Sequence, residues 1–163
     1  MKTKKIEKLL DKSKKCHSTI TGFLGKDKTY FNFVVLDRNK NFVLAAQDSD
    51  FQIDGYSIFA IDRINKIKAK TKKYDQIMQA EGGLDTLVVP KLNMKSYANI
   101  FKIFQKENRI ISMDVDNEYG YYIGDVVKVN EKSVLLSYFD AAGEWYGPAK
   151  IRFEDINVIY FGN

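Results

Sequence analysis

Tyr30-Phe31-Asn32-Phe33-Val34-Val35-Leu36-Asp37-Arg38-Asn39-Lys40-Asn41-Phe42-Val43-Leu44 is the stretch that decides the fold. Seven residues dominated by aromatic and branched side chains are followed by a polar turn and a second apolar run. That is the pattern of two short strands joined by a hairpin. Nearly the same pattern returns at Tyr122–Leu136. Adding 92 to each number from 30 to 67, without gaps, gives ten identities over 38 positions. They are Tyr30/Tyr122, Val34/Val126, Val35/Val127, Lys40/Lys132, Leu44/Leu136, Asp48/Asp140, Gly55/Gly147, Ile64/Ile156, Asn65/Asn157 and Ile67/Ile159. Apolar and turn residues recur in phase, so residues 30–67 and 122–159 read as two copies of one β-rich unit.

Working outward, each copy offers about five short strands. In the first copy these are Ser18–Phe23, Tyr30–Leu36, Phe42–Ala46, Tyr56–Ile61 and Ile64–Ala69. Turns are expected at Gly25-Lys26-Asp27-Lys28, at Asp37–Asn41 and at Asp62-Arg63, with a loop from Asp48 to Gly55. Residues 3–13 predict a short helix, with Ile6, Leu9 and Leu10 forming an apolar stripe on a lysine-rich rod. Between the copies, Lys72–Ala80 is helix-prone and stops at Gly82-Gly83, and Leu87–Pro90 is a short extended piece. Tyr97, Ile100, Phe101 and Phe104 then define a second helix over Tyr97–Lys106, capped by Asn93 or Ser96.

The expected architecture is mainly β (α+β): two tandem small barrels with an N-terminal helix and a helical connector. The expected boundaries are 1–15 for the helix, 16–70 for the first barrel, 71–108 for the connector and 109–163 for the second barrel. The order of elements, with Asp62-Arg63 or Glu154-Asp155 before the last strand, resembles that of Sm-like and Src-homology-like small barrels. Asp50-Phe51-Gln52-Ile53-Asp54-Gly55-Tyr56 and Gly143-Glu144-Trp145-Tyr146-Gly147 are similar to stretches in a family of uncharacterised bacterial proteins with paired barrels of this kind. The resemblance covers most of the chain outside residues 70–108. It implies fold and no catalytic residues. Sm-like barrels as a class often bind RNA, but this chain lacks the clear Sm-motif residues for that, so RNA binding is analogy alone.

The composition bounds the function. The chain has 163 residues and 22 aromatic residues, enough for a core. With one cysteine there is no intrachain disulfide. Charges at Glu7, Lys8, Asp11 and Lys12 interrupt any secretory signal, and no apolar run approaches a membrane span. A reducing cytoplasm is the expected setting. The net charge of +5 is unevenly placed: residues 1–15 carry +5, residues 16–109 carry +5 and residues 110–163 carry −5.

Catalytic constellations are sparse. Cys16-His17 holds the only thiol and the only imidazole, and neighbours on a strand point to opposite faces. Asp114-Val115-Asp116-Asn117-Glu118, with Asp125 twelfth, resembles a calcium loop, but Tyr119 stands where glycine is required. Gly22–Asp27 resembles a phosphate loop without its glycine spacing. The expectation is therefore a protein that is not an enzyme and needs no cofactor or metal.

Two surfaces remain as candidates. Trp145 and Tyr146, beside Asp140 and Glu144, have the chemistry to grip a protein or peptide partner, with Phe51 and Tyr56 in the matching stretch of the first copy. Arg63, Lys66, Lys68, Lys70, Lys72 and Lys73 form a basic run without an intervening acid. With residues 1–15, and with Tyr30, Tyr56 and Tyr74 as stacking platforms, that run gives the alternative, RNA or DNA binding. A second copy of the chain is a further candidate partner, and a membrane is not.

Overall fold

The computed structural model describes residues 2–26 and 29–162. Among these described residues, ten strands, three α-helices and three short 3-10 turns make a mainly β protein, and the strand pairs of each unit are antiparallel. Two compact units emerge, Met1–Pro90 with Gly162–Asn163, and Lys91–Phe161. The division falls inside the segment expected to be a connector.

The first unit opens with α1 (Lys2–Cys16), three residues longer at its C-terminal end than the apolar stripe predicts. Ile6, Leu10 and Ser13 are its buried positions, a stripe at helical spacing that lies on β2 (Thr29–Arg38). Ser13 explains the extension. Its hydroxyl donates to the Ser18 carbonyl at 2.6 Å and accepts from the Val35 N–H at 2.9 Å, pinning the last turn to the sheet. His17 follows at φ 54° and ends the helix, so Cys16-His17 is a helix terminus and not part of a strand.

β1 (Thr19–Leu24), β2, β3 (Phe42–Ser49) and β4 (Gln52–Ala60) form a meander, and β5 (Ile64–Ala69) returns beside β1. The order β5-β1-β2-β3-β4 leaves β5 and β4 at the two ends of the unit's sheet. Phe33 and Phe59, fully buried, meet edge to face at 5.1 Å in the core. The expected loop from Asp48 to Gly55 is instead a tight hairpin. Ser49 pairs with Gln52 around Asp50 (φ 49°) and Phe51 (φ 66°), the two left-handed residues that a two-residue hairpin turn needs. Asp27 and Lys28 of the predicted turn lie outside the described residues. α2 (Lys72–Glu81), capped by Thr71, and the 3-10 turn Leu84–Thr86 complete the unit. Leu87–Pro90 is not a strand.

The second unit repeats this order. α3 (Tyr97–Lys106) is capped by the Ser96 hydroxyl, which accepts from the Asn99 N–H at 3.1 Å. Its buried Ile100, Phe101 and Phe104 lie on β7 (Tyr121–Val129), as α1 lies on β2. α3 thus plays for the second sheet the part that α1 plays for the first. β6 (Ile111–Val115), β7, β8 (Ser133–Phe139) and β9 (Trp145–Arg152) form the second meander. β10 (Ile156–Phe161) returns beside β6 after the 3-10 turn Phe153–Asp155.

The strand registers correct the ungapped repeat. Thr21↔Asn32 in the first unit corresponds to Ser112↔Ile123 in the second, both residues shifted by 91. Thr21↔Lys68 corresponds to Ser112↔Tyr160, shifted by 91 and 92. The change of offset falls in the hairpin. Asp48↔Ile53 encloses four residues and Phe139↔Trp145 encloses five. Gly55/Gly147, Ile64/Ile156, Asn65/Asn157 and Ile67/Ile159 are therefore true equivalents. The other six identities are one residue out of register, which on a strand means the opposite face. The turn bonds agree: Ile61 N–H to Asn41 O at 2.8 Å matches Phe153 N–H to Lys132 O at 3.0 Å.

Candidate functional site

The residues with the chemistry of a binding surface gather at the β8–β9 end of the second unit. A groove of about 450 Å³ opens there, lined by Tyr119, Tyr121, Ile123, Phe139, Asp140, Ala141 and Gly143. Three aromatic side chains around it stand in solvent: Trp145 is 54% exposed, Tyr119 52% and Tyr121 46%. So much exposed aromatic surface in one place is what a partner surface offers.

The backbone explains the gathering. Phe139 pairs with Trp145 across the hairpin, and their rings sit 5.0 Å apart. Tyr138 pairs with Tyr146, with rings 5.9 Å apart, and continues to Tyr122 at 5.2 Å and Tyr119 at 5.2 Å. Trp145 and Tyr146 are consecutive, so they point to opposite faces of the sheet. Trp145 stands with Phe139 on the groove side and Tyr146 stands with Tyr138 on the other. The two residues expected to grip one ligand together thus serve two faces.

Asp140 organises the loop between them. Its carboxylate accepts from the backbone N–H of Ala142 at 2.9 Å and of Glu144 at 3.0 Å, and from the Tyr146 hydroxyl at 3.0 Å. The Tyr146 hydroxyl also lies 3.2 Å from Glu144 Oε2. The Glu144 N–H leads the interactions that hold Asp140 below the ordinary carboxylate value. The same Asp140 bond raises the Tyr146 phenol above its ordinary value. Gly147, at φ 108°, and Pro148, joined to it by a cis peptide, end the exposed run that opens β9 at Trp145.

Phe51 and Tyr56 have a different place, in the first unit. Phe51 stacks on Tyr74 at 4.4 Å and packs with Ile53 and Leu87 against buried Val34, Met78 and Leu84. The Phe51 N–H donates to Asp48 Oδ1 at 2.9 Å. Tyr56 donates its hydroxyl to the Val88 carbonyl at 2.7 Å. Both hold α2 and the segment after it against the sheet. Tyr74 donates to Asp48 Oδ2, and burial, together with that bond, raises its pKa.

The basic run divides. Lys66 and Lys68 lie on one face of β5, opposite Phe23 and Thr21 of β1. Phe23 in turn pairs with Tyr30 of β2, 61% exposed, with rings stacked at 5.6 Å. Thr21 is bonded to Asn32 at 2.7 Å. Lys70 lies 5.0 Å over the Tyr74 ring. Arg63 belongs to the 3-10 turn Ile61–Arg63, and Lys72 and Lys73 to the first turn of α2.

The acidic loop is a structural turn. Asn117 accepts from the Gly120 N–H at 2.8 Å and donates to Tyr122 at 3.0 Å, and Asn157 donates to Asp116 at 2.8 Å. Among the described residues no three His, Cys, Asp or Glu side chains converge as metal ligands. No described helix is long and apolar enough to cross a membrane.

Sequence reasoning missed Tyr119, Tyr121, Ile123, Phe139 and Tyr138. The signal for them was the density of tyrosine on either side of Gly120 and before Asp140. Only the strand register shows that these stretches meet. No family model, curated protein or solved structure matches the chain.

Proposed function

We propose that the protein is a non-enzymatic binding module whose partner, a protein or peptide, engages the second unit at Tyr119, Tyr121, Phe139 and Trp145. The observation that carries this reading is the 450 Å³ groove ringed by exposed aromatic side chains, with Asp140 at its wall. Aromatic anchors in a preformed groove supply contact area at little entropic cost. The chain acts in a bacterial cytoplasm in this reading, and its units are small barrels of the Sm-like or Src-homology-like kind. What supports the barrels is the repeated order of helix, four-stranded meander, 3-10 turn and returning strand, with register shifts inside the strand pairs. The test is co-purification with the wild-type chain and with Trp145→Ala/Tyr146→Ala. A partner lost only from the folded variant supports the reading, and an unchanged set of partners contradicts it.

One observation favours a second reading, nucleic-acid binding by the first unit. Lys66–Phe23–Tyr30 and Lys68–Thr21–Asn32 are adjacent rows across three strands, placing cations beside stacked aromatic rings. Binding of this kind weakens by orders of magnitude between about 50 and 200 mM salt. A gel shift with mixed RNA and DNA at about 50 mM salt checks it, and no shift there removes it.

A further inference from the structure

We infer that the groove of the second unit is the docking site of a cationic amphipathic helix, and this rests on the binding reading just proposed. The first unit of the chain shows the arrangement. Through the shared register, Asn32, Asp48 and Ile53 of the first unit correspond to Ile123, Phe139 and Trp145 of the second. In the first unit a helix already covers the Val34–Asp48 part of this face. Met78 of α2, fully buried, seats against Val34, which is on the same face as Asn32 and Asp48. Tyr74 of α2 stacks on Phe51 and bonds to Asp48.

In the second unit two of these positions have become apolar and stay only half-buried, while Asp125 stands where the first unit has buried Val34. Asn32 is replaced by Ile123 and Asp48 by Phe139, and Trp145 stands in solvent. A sheet face that has exchanged Asn and Asp for Ile and Phe, leaves them half open and sets exposed Trp145 and Tyr121 beside them is built for an occupant. The one self-contained precedent for that occupant is α2, a ten-residue helix with an apolar side. Charge supplies the rest. Asp140 lines the groove, Asp125 stands at the position of Val34 on the same face, and residues 110–163 carry −5. An amphipathic helix with a lysine or arginine flank matches that wall, and one with an acidic flank does not.

Trp145 is the chain's single tryptophan, so its emission reports the groove directly. The probe is a synthetic leucine–lysine peptide with one apolar stripe, about 18 residues long because shorter isolated helices are marginal. Titrated into the full chain, it shifts Trp145 emission to the blue with saturation. The same peptide with two central prolines, which break the helix, binds at least about tenfold more weakly. A glutamate-for-lysine version gives no shift. Tyr121→Lys, at an exposed position, weakens the helical peptide about tenfold while the far-ultraviolet circular dichroism is unchanged, and Lys132→Glu leaves binding as it was. Equal binding of the helical and proline peptides overturns the inference but leaves a peptide-binding groove standing. A concentration-dependent blue shift of the chain alone, abolished by Tyr121→Lys, assigns the face to a second copy and also overturns it. Absence of any shift with the helical peptide overturns the inference, while the co-purification test still decides the binding reading.

Discussion

Phe139 occupies in the second unit the position that Asp48 occupies in the first: each pairs directly with the residue that faces it across the hairpin, Trp145 and Ile53 respectively. The same backbone position thus carries a buried carboxylate in one copy and an aromatic groove wall in the other. Asp48 accepts from the Phe51 N–H and the Tyr74 hydroxyl. Asp48→Ala leaves both donors without that acceptor, and the first unit is expected to lose about 1–3 kcal/mol. Chemical denaturation followed by circular dichroism reads this, while Trp145 emission of the native state stays unchanged.

Ser13 is fully buried and serves both the Ser18 carbonyl and the Val35 N–H. Ser13→Ala removes both bonds without opening a large cavity. The expected cost is about 1–3 kcal/mol, seen as a lower unfolding midpoint. Amide exchange should rise first at Val35 and along the last turn of α1.

Gly124 and Gly120 make a paired test of close approach against backbone freedom. A Cβ at Gly124 would lie 1.8 Å from the Ser137 carbonyl oxygen, so Gly124→Ala forces β7 and β8 apart. A loss above about 4 kcal/mol is expected, enough to prevent folding of the second unit. Gly120 has φ +80° with nothing within 4 Å. Gly120→Ala pays only the left-handed strain of about 1–2 kcal/mol. Soluble yield and melting temperature separate the two outcomes.

The loop at the groove is expected to depend on pH in one direction. Asp140 is held below the ordinary carboxylate value, chiefly by the Glu144 N–H. A carboxyl group depressed in the folded state stabilises fully above its unfolded value and loses that contribution as pH falls through the folded value. The loop should therefore stay ordered down to about pH 4 and loosen below it, read as a change in Trp145 emission. Asp140→Asn should remove the acid-side change.

Much of the fold was legible because its signals are local. α3 matches its predicted bounds of Tyr97–Lys106, since four apolar residues at helical spacing are a strong local signal, and of the two cap candidates, Asn93 and Ser96, it is Ser96 that caps it. β5 matches Ile64–Ala69, bounded by a tight turn before it and the polar capping residue of α2 after it. The repeat was legible as a pattern but not in register. Paired residues such as Val34-Val35 and Val126-Val127 score equally well when slid by one, and only the hydrogen-bond ladder distinguishes the faces. Buried Val35 in fact corresponds to buried Val126, and Val127 is exposed. The candidate site was half legible. Trp145 stood out as the only tryptophan, but Tyr121, Ile123 and Phe139 join it through pairing across three strands, which no local pattern encodes. Phe51 lies apart from that groove, in a left-handed turn and against Tyr74 of a helix more than twenty residues away, a contact that no local pattern encodes.

That the partner engages the groove of the second unit is most directly tested by site-specific photocrosslinking in cells. A photoreactive phenylalanine is placed singly at Tyr121, at Trp145 and, as a control, at exposed Lys132. The account predicts one crosslinked partner band from positions 121 and 145 and none from 132. Crosslinks from 132 alone, or no difference among the three positions, would contradict it.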